Sequence, residues 1–507
     1  MRPRIEGVDF AVDEHIWGHR LYDEQLPHLL ILEFLGVLSS NLDKPLQPVD
    51  QKELRFAPQR QTRLRALLFN NPYVESIRQR SIPNDEKWRQ WNERFAQDCM
   101  SLGDWNLGYL RQRFSEFDDF AKAVELLRSS AFEARSNKRW SSKFVFPFGP
   151  DALYEDVRVS TEGAASNDRR FFARGGELLY LMLSRAARGA ELGALLKERL
   201  FDSTAPMNRL ARALQGEPEL AAPRSVGYLP HATHPRFDII CDDWLAILSR
   251  DMPVYDALEH LIANAGLNML LYFLECAKTE AGDADPVELV CEIVSRERTK
   301  VRALSGDSFQ TNQSLSLRAV RASVEKIRMG EDWAQAATCR DPNGAAAELM
   351  RAWFQWPAGN GSDEDASDSD TGDELVSKLA AKAEARHEQH VGKIHGSWSR
   401  ALGLTSRRLS RRTRYAPNDK LLKTLVVSLV DDRMQFDDFL ALARERYGLI
   451  VGDVEGARLV KSQQIDQEAL SDNKDKLETR LVGLGLVRRL SDSCSFVENP
   501  FAAEVAQ

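Results

Sequence analysis

Residues 361–374 read Gly-Ser-Asp-Glu-Asp-Ala-Ser-Asp-Ser-Asp-Thr-Gly-Asp-Glu, with seven carboxylates and no apolar side chain larger than alanine. Such a stretch has nothing to bury that would offset its ordering entropy, so it cannot lie inside a core. It reads as an acidic, disordered linker that lets the parts on either side move independently. Residues 1–360 are then one or more helical domains, with a sub-boundary expected near residue 150. There Phe144-Val145-Phe146-Pro147-Phe148-Gly149-Pro150 ends any helix. Residues 375–415 form a helix and an arginine-rich segment, and 416–507 a compact C-terminal module.

Elsewhere apolar residues recur mostly at helical spacing. Helices are predicted at 26–38, 114–128 and 177–187. More are predicted at about 191–200, 242–249, 254–277, 286–295, 316–328, 344–355 and 375–400. Alternating strand patterns are few. The expected class is mainly α: a large helical N-terminal region plus a small C-terminal winged-helix-like (α+β) domain. The most apolar run, 267–276, is far short of the roughly 20 residues a membrane span needs. Residues 1–6 lack the apolar core of a secretory signal. The six cysteines form no CxxC pair and sit mostly among apolar residues, as free thiols in a reducing compartment do. A cytoplasmic protein with no membrane partner is expected.

In the C-terminal module, Pro417-Asn418-Asp419 opens a helix whose stripe is Leu421, Leu422, Leu425, Val426, Leu429 and Val430. Phe436, Phe439, Leu440, Ala443 and Tyr447 form a second stripe, stopped by Gly448. Leu477, Leu481 and Leu484 form a third. Residues 486–490, a turn at 491–493 and residues 494–497 read as strand, turn, strand. This order resembles the winged-helix relatives of the helix-turn-helix family. The resemblance implies a third helix in the major groove and a hairpin along the backbone. Asn473, Lys474, Lys476 and Arg480 would then face DNA, with Arg488 and Arg489 on the wing.

Charge pulls against that reading. Residues 418–501 carry twelve basic and fifteen acidic side chains, and the whole chain has a formal net charge of −8. A module that draws affinity from phosphates usually carries positive charge, so any contact with nucleic acid must come from a local patch. The run Arg407, Arg408, Arg411, Arg412 and Arg414 is such a patch, with no acid between Leu404 and Tyr415. DNA is therefore one expected partner. Other protein subunits, docked by a winged helix that never touches DNA, are the other.

Further constellations have two readings each. Arg169, Arg170 and Arg174 precede Gly175 and Gly176 at a helix start, where backbone N–H groups can hold an anion. A closely packed turn uses the same glycine pair. His15, His19 and Asp23 share one helical face, as metal ligands would. Lacking a fourth ligand, a packed, hydrogen-bonded segment is expected, and no metal or cofactor is assigned. His231 and His234 sit in a proline-flanked loop, and His387, His390 and His395 read as the solvated face of a polar helix. The basic segments 55–65, 78–94 and 135–143 carry Trp88, Trp91 and Trp140. They fit either phosphate contact with base stacking or a salt-bridged surface. There is no HExxH, GxSxG, dinucleotide fingerprint, kinase set or P-loop, so no catalytic residue is assigned.

Three stretches resemble large bacterial proteins of anti-phage defence and DNA-modification islands. They are Gly7-Val8-Asp9-Phe10 through His15-Ile16-Trp17-Gly18-His19-Arg20, Phe146-Pro147-Phe148-Gly149, and Arg174-Gly175-Gly176-Glu177-Leu178-Leu179-Tyr180. The resemblance implies a bacterial defence setting and gives no residue a role. The expected function is a non-enzymatic, nucleic-acid-associated or scaffolding subunit of a multi-protein system. The alternatives are a metal-dependent nuclease with a dispersed site, and an interaction subunit without DNA contact.

Overall fold

The structure, a computed structural model, describes residues 8–18, 21–48, 54–57, 59–60, 62–99, 106–129, 149–152, 157–159, 165–167, 173–216, 219–220, 222–294, 299–354, 356, 369–408, 410–491 and 494–502. Helices dominate, and no strand among the described residues exceeds five residues. The chain forms two compact units. One comprises residues 28–184 and 189–226, the other residues 1–27, 185–188 and 227–507. Both sides of the acidic stretch belong to this second unit. Residues 361–368 lie outside the described residues, and the end of the stretch starts a helix. The Thr371 hydroxyl accepts from the Glu374 nitrogen and the Glu374 carboxylate from the Thr371 nitrogen, a capping box.

In the first unit, helix Gly175–Ser184 is buried along its whole length. It packs on the helix that includes Glu33 so closely that a side chain at Gly176 would meet the Leu30 carbonyl and come within 2.5 Å of the Phe34 nitrogen. Glycine here serves close approach of two backbones. Trp88 and Trp91, on Asn84–Cys99, are buried against Phe117 and Phe120 of Phe117–Ser129. The Trp91 indole donates to Asn71 Oδ1 at 2.9 Å. These rings are core and not a stacking platform. The neighbouring cations are paired: Lys87 with Asp118, Arg89 with Glu86, Arg78 with Glu75. Residues 135–143 and 144–148, with Trp140, lie outside the described residues.

The second unit is built on α1 (Val8–Trp17), α2 (Pro235–Ser249), α3 (Val254–Glu280) and α4 (Lys300–Arg328). The predicted helix at 254–277 is α3, and the one at 316–328 is the second half of the longer α4. By length and composition alone α3 could cross a membrane, but 83% of its apolar window is buried inside the protein. A helix that is apolar all round is buried against other helices, and α1, α2 and α4 pack on it. The predicted helix at 286–295 is instead β1 (Leu289–Val290). Pro286 opens it, and β1 pairs in parallel with β5 (Leu449–Ile450). The remote partner strand overrides the local pattern, which for a short apolar run fits either state.

After the helices Glu331–Ala337 and Pro342–Phe354 come α5 (Gly372–Gln389) and α6 (Val391–Ala401), where the sequence predicts one helix over 375–400. His387, His390 and His395 are buried there, not solvated. The His387 ring bonds the Ser316 hydroxyl at 2.9 Å, and His390 bonds Asp23 at 3.1 Å. Asp23 thus partners His390, His15 is exposed, and His19 lies outside the described residues. Among the described residues no group of three or more His, Cys, Asp or Glu is placed to hold a metal ion. His234 caps α2, accepting from the Arg236 nitrogen.

The chain then forms β2 (Thr405–Ser406), β3 (Arg414–Tyr415), α7 (Asp419–Leu429), β4 (Arg433–Gln435), α8 (Phe436–Tyr447), β5, α9 (Ala457–Lys461), α10 (Gln467–Gly483), β6 (Val487–Ser491) and β7 (Cys494–Glu498). Strands β4, β7 and β6 form an antiparallel sheet in that order. This is the small α+β part expected at the C-terminal end, and it shares a core with β1 and α4. Val290 of β1 and Val301 of α4 pack with Ile450, Leu459, Ile465 and Leu470. A buried polar knot adds a second tie. Asp243 of α2 accepts from Asn264 and Asn268 of α3 at 2.8 and 3.1 Å, and from the Tyr447 hydroxyl of α8 at 2.7 Å. Arg446 pairs with its other oxygen at 2.8 Å. Buried hydrogen bonds of this kind tie together the elements that share them, here α2, α3 and α8.

Candidate nucleic-acid interface

The arginine run folds as a hairpin. β2 and β3 pair Thr405 with Tyr415 and Ser406 with Arg414. The ladder continues from the Ala416 nitrogen to the Leu404 carbonyl at 2.8 Å. Between the strands the serines shape the loop. Ser406 Oγ accepts from the Arg408 nitrogen at 3.0 Å, and Ser410 Oγ from the Arg412 nitrogen at 3.1 Å, the local turns that serine favours. Arg407, Arg408, Arg411 and Arg412 are exposed. Arg407 donates from Nε to the Thr413 hydroxyl, and Arg412 has a surface contact with Asp307 at 3.4 Å. Four guanidinium groups thus share one loop, and among the described residues only Arg412 is paired with a carboxylate. Such a loop offers the planar, forked donors that phosphate geometry matches.

Arg414, the fifth arginine of the run, does something else. It is 1% exposed and pairs with the fully buried Glu292. Its Nη2 donates to the Arg408 carbonyl at 2.7 Å, holding the loop from within. Glu292 also accepts from Arg302 of α4 at 2.8 Å. The expectation that Arg414 meets nucleic acid is corrected by this burial, because a guanidinium that is 1% exposed and bonds protein acceptors through all three nitrogens is out of reach of phosphate. Beneath it, the Tyr415 hydroxyl accepts from Asn312 at 2.9 Å and lies 2.7 Å from His395 Nε2, while His395 Nδ1 meets Gln313 at 3.0 Å. Burial pushes the His395 pKa down to about 3, so the ring is neutral and the stack under the hairpin carries no titrating charge near neutrality. The run of arginines without an intervening acid signalled a basic patch, but nothing in it separated the anchor Arg414 from the four exposed members.

The winged-helix carry-over brings less together. Asn473 is buried. Its amide donates to the Cys291 and Val451 carbonyls at 2.9 Å each and accepts from the Ile293 nitrogen at 2.8 Å, so it stitches three segments and faces no groove. Lys474 pairs with Asp437, Arg480 with Asp419 at 2.7 Å, and Arg489 with Glu478 at 2.7 Å. Lys476 is half-buried and Arg488 is exposed. The solvent stripe of α10 runs Glu468, Asp472, Asp475, Thr479 and Val482. Three carboxylates and no cation line the face that would approach phosphates.

The glycine-pair site has a different outcome. The N–H groups of Arg174 and Gly176 do hold an anion, but it is the Glu33 carboxylate, at 3.2 and 2.8 Å. Arg224 lies 3.6 Å from Glu33 and 3.2 Å from Glu177. The helix N-terminus is filled by the protein's own side chain, which satisfies the same electrostatics that an outside phosphate would. Arg174 takes a left-handed φ of 64° there. Arg169 and Arg170 lie outside the described residues.

Residues 374–497 match the family model of methylation-associated defense system protein MAD7. The match begins in α5, includes the arginine hairpin and the knot residues Arg446 and Tyr447, and ends within β7 of the β4-β7-β6 sheet. No curated protein and no solved structure matches the chain.

Proposed function

We propose that this chain is a non-enzymatic, cytoplasmic subunit of a bacterial defence system that holds DNA through the hairpin arginines Arg407, Arg408, Arg411 and Arg412. The similarity of residues 374–497 to a methylation-associated defence protein supports the setting. The observation that carries the contact is the hairpin itself: four exposed guanidinium groups on a loop pinned by a buried ion pair. A pinned loop loses little entropy when it binds, so its charges count nearly in full. We read residues 416–507 as a winged-helix-like module, since helix α7, strand β4, helix α8, helix α10 and a hairpin closing a three-stranded sheet follow the order that family uses, with β5 and the five-residue α9 added between α8 and α10. Its third helix does not read bases in this proposal, because its acidic outer stripe repels phosphate.

The test is a gel shift with duplex DNA at several salt concentrations. Replacing all four arginines by alanine should flatten the dependence of log K on log[salt] by about 3–4, since each phosphate neutralised contributes about −0.9. The loss should be similar for unrelated sequences. An unchanged slope removes the DNA contact. The acidic stripe of α10 would then favour the second reading, a purely protein-docking subunit. Under that reading, charge reversal at Asp472 and Asp475 should release a co-purifying subunit.

A further inference from the structure

A cavity of about 480 Å3 opens where the N-terminal ends of α3 and α7 meet the turn after α10. Its floor is apolar: Val427, Leu484, Leu486, Pro500 and Phe501. Its rim is charged and of both signs. Lys420 and Lys423 stand on α7, and Asp256 and His260 on α3. Lys420 is held by Glu259 at 2.9 Å. Lys423 is exposed and forms no ion pair among the described residues. The Thr424 hydroxyl donates to the Lys420 carbonyl at 3.1 Å, so it accepts from His260 Nδ1 at 2.9 Å. That fixes the ring tautomer and leaves Nε2 an acceptor. Burial holds the ring neutral by lowering its pKa.

A ligand that uses this site must cover the floor and satisfy the rim. A purely apolar group would strip water from Lys423 and Asp256 without replacing it. A bare anion would leave the floor unused. A nucleotide meets both demands, with a flat base for the aromatic and aliphatic floor, a phosphate for Lys423, and hydroxyl or exocyclic amine donors for Asp256 and His260 Nε2. We propose that this cavity binds a single nucleotide unit, as a free nucleoside monophosphate or as one residue of a single strand. The site goes beyond the hairpin contact, shares no residue with it, and stands or falls separately.

The test is isothermal titration of the full chain with deoxyadenosine monophosphate, with deoxyadenosine and inorganic phosphate as controls. The monophosphate should bind saturably and more tightly than either control. Lys423→Glu should weaken it by about tenfold, the loss of one charge-assisted contact. Phe501→Ala should weaken it by removing the ring, with circular dichroism melts checking that both variants are folded. Alanine at the four hairpin arginines should leave it unchanged, which separates this site from the proposed DNA contact. Displacement of the monophosphate by a short single-stranded oligonucleotide would identify a strand as the source, and its persistence a free nucleotide. Absence of saturable binding, or binding that neither Lys423→Glu nor Phe501→Ala weakens, overturns the proposal.

Discussion

Glu292→Gln is the sharpest probe of the hairpin, because it changes one charge and almost no volume. Glu292 is fully buried and faces two guanidinium groups, Arg414 at 1% and Arg302 at 11% side-chain exposure. Removing the anion leaves two cations sharing a dry site. Breaking a buried pair from one side costs about 3–5 kcal/mol. The glutamine oxygen still accepts one bond and Arg302 keeps some access to water, so the lower end, about 3 kcal/mol, is expected. The strain falls on elements tied to this group: the β2–β3 ladder, and the Glu292 nitrogen that donates to the Tyr415 carbonyl at 2.9 Å. Native-state hydrogen exchange reads it directly. Protection at Ala416 and Glu292 should drop by about a hundredfold, one decade per 1.36 kcal/mol. DNA affinity should fall while the salt slope stays, because the exposed arginines are retained and only the ordering of their loop is lost. Adding Arg414→Met should restore much of the protection, since it removes the uncompensated charge. Protection within about threefold of wild type in Glu292→Gln would refute the claim that this pair pins the loop.

Two other outcomes follow from buried groups. Asp13 of α1 is buried, and desolvation raises its pKa from 3.8 to about 7, with Arg386 pulling the other way. A raised folded-state pKa means its contribution is present below 3.8 and lost as pH rises through about 7. By pH 8 the ionised carboxylate opposes folding by about 4 kcal/mol at most. Asp13→Asn should match wild type near pH 4 and exceed it in urea titrations at pH 8; a gap that does not widen between those pH values contradicts the assignment. Gly176→Ala drives a methyl into the Leu30 and Phe34 backbone, which cannot rotate aside. It should cost at least about 1–3 kcal/mol in the unit formed by residues 28–184 and 189–226, read as a lower melting temperature.

What the sequence made legible follows the range of the interactions. Helices such as Val254–Glu280 and Asp419–Leu429 announce themselves because their stripes, caps and breakers are local. The strand at Leu289–Val290 is invisible locally, because its partner, Leu449–Ile450, lies far along the chain. Polar residues were misjudged for the same reason. His387, His390 and His395 look solvated beside Lys, Glu and Gln, yet Val391, Ile394 and Trp398 share their stretch and are buried with them. Asn473 and Arg414 carry the residue types of DNA readers, but buried carbonyls and a buried carboxylate claim their donors first. The basic loop was readable because four of its charges have nothing to do with the interior.

The division of the chain also orders events during synthesis. Residues 28–184 and 189–226 form a compact unit that is complete before most of the other unit has been translated. Helix Val8–Trp17 leaves the ribosome earlier still, yet its partners are among the later residues. The Trp17 indole donates to the Phe273 carbonyl at 2.9 Å, and the Tyr272 hydroxyl donates to the Trp17 carbonyl at 2.9 Å. The nascent chain must therefore carry an apolar helix without its core while more than two hundred residues are added. Domains generally fold as they emerge, and transiently exposed apolar surface is what chaperones recognise. Helix Val8–Trp17 is thus among the last to find its place.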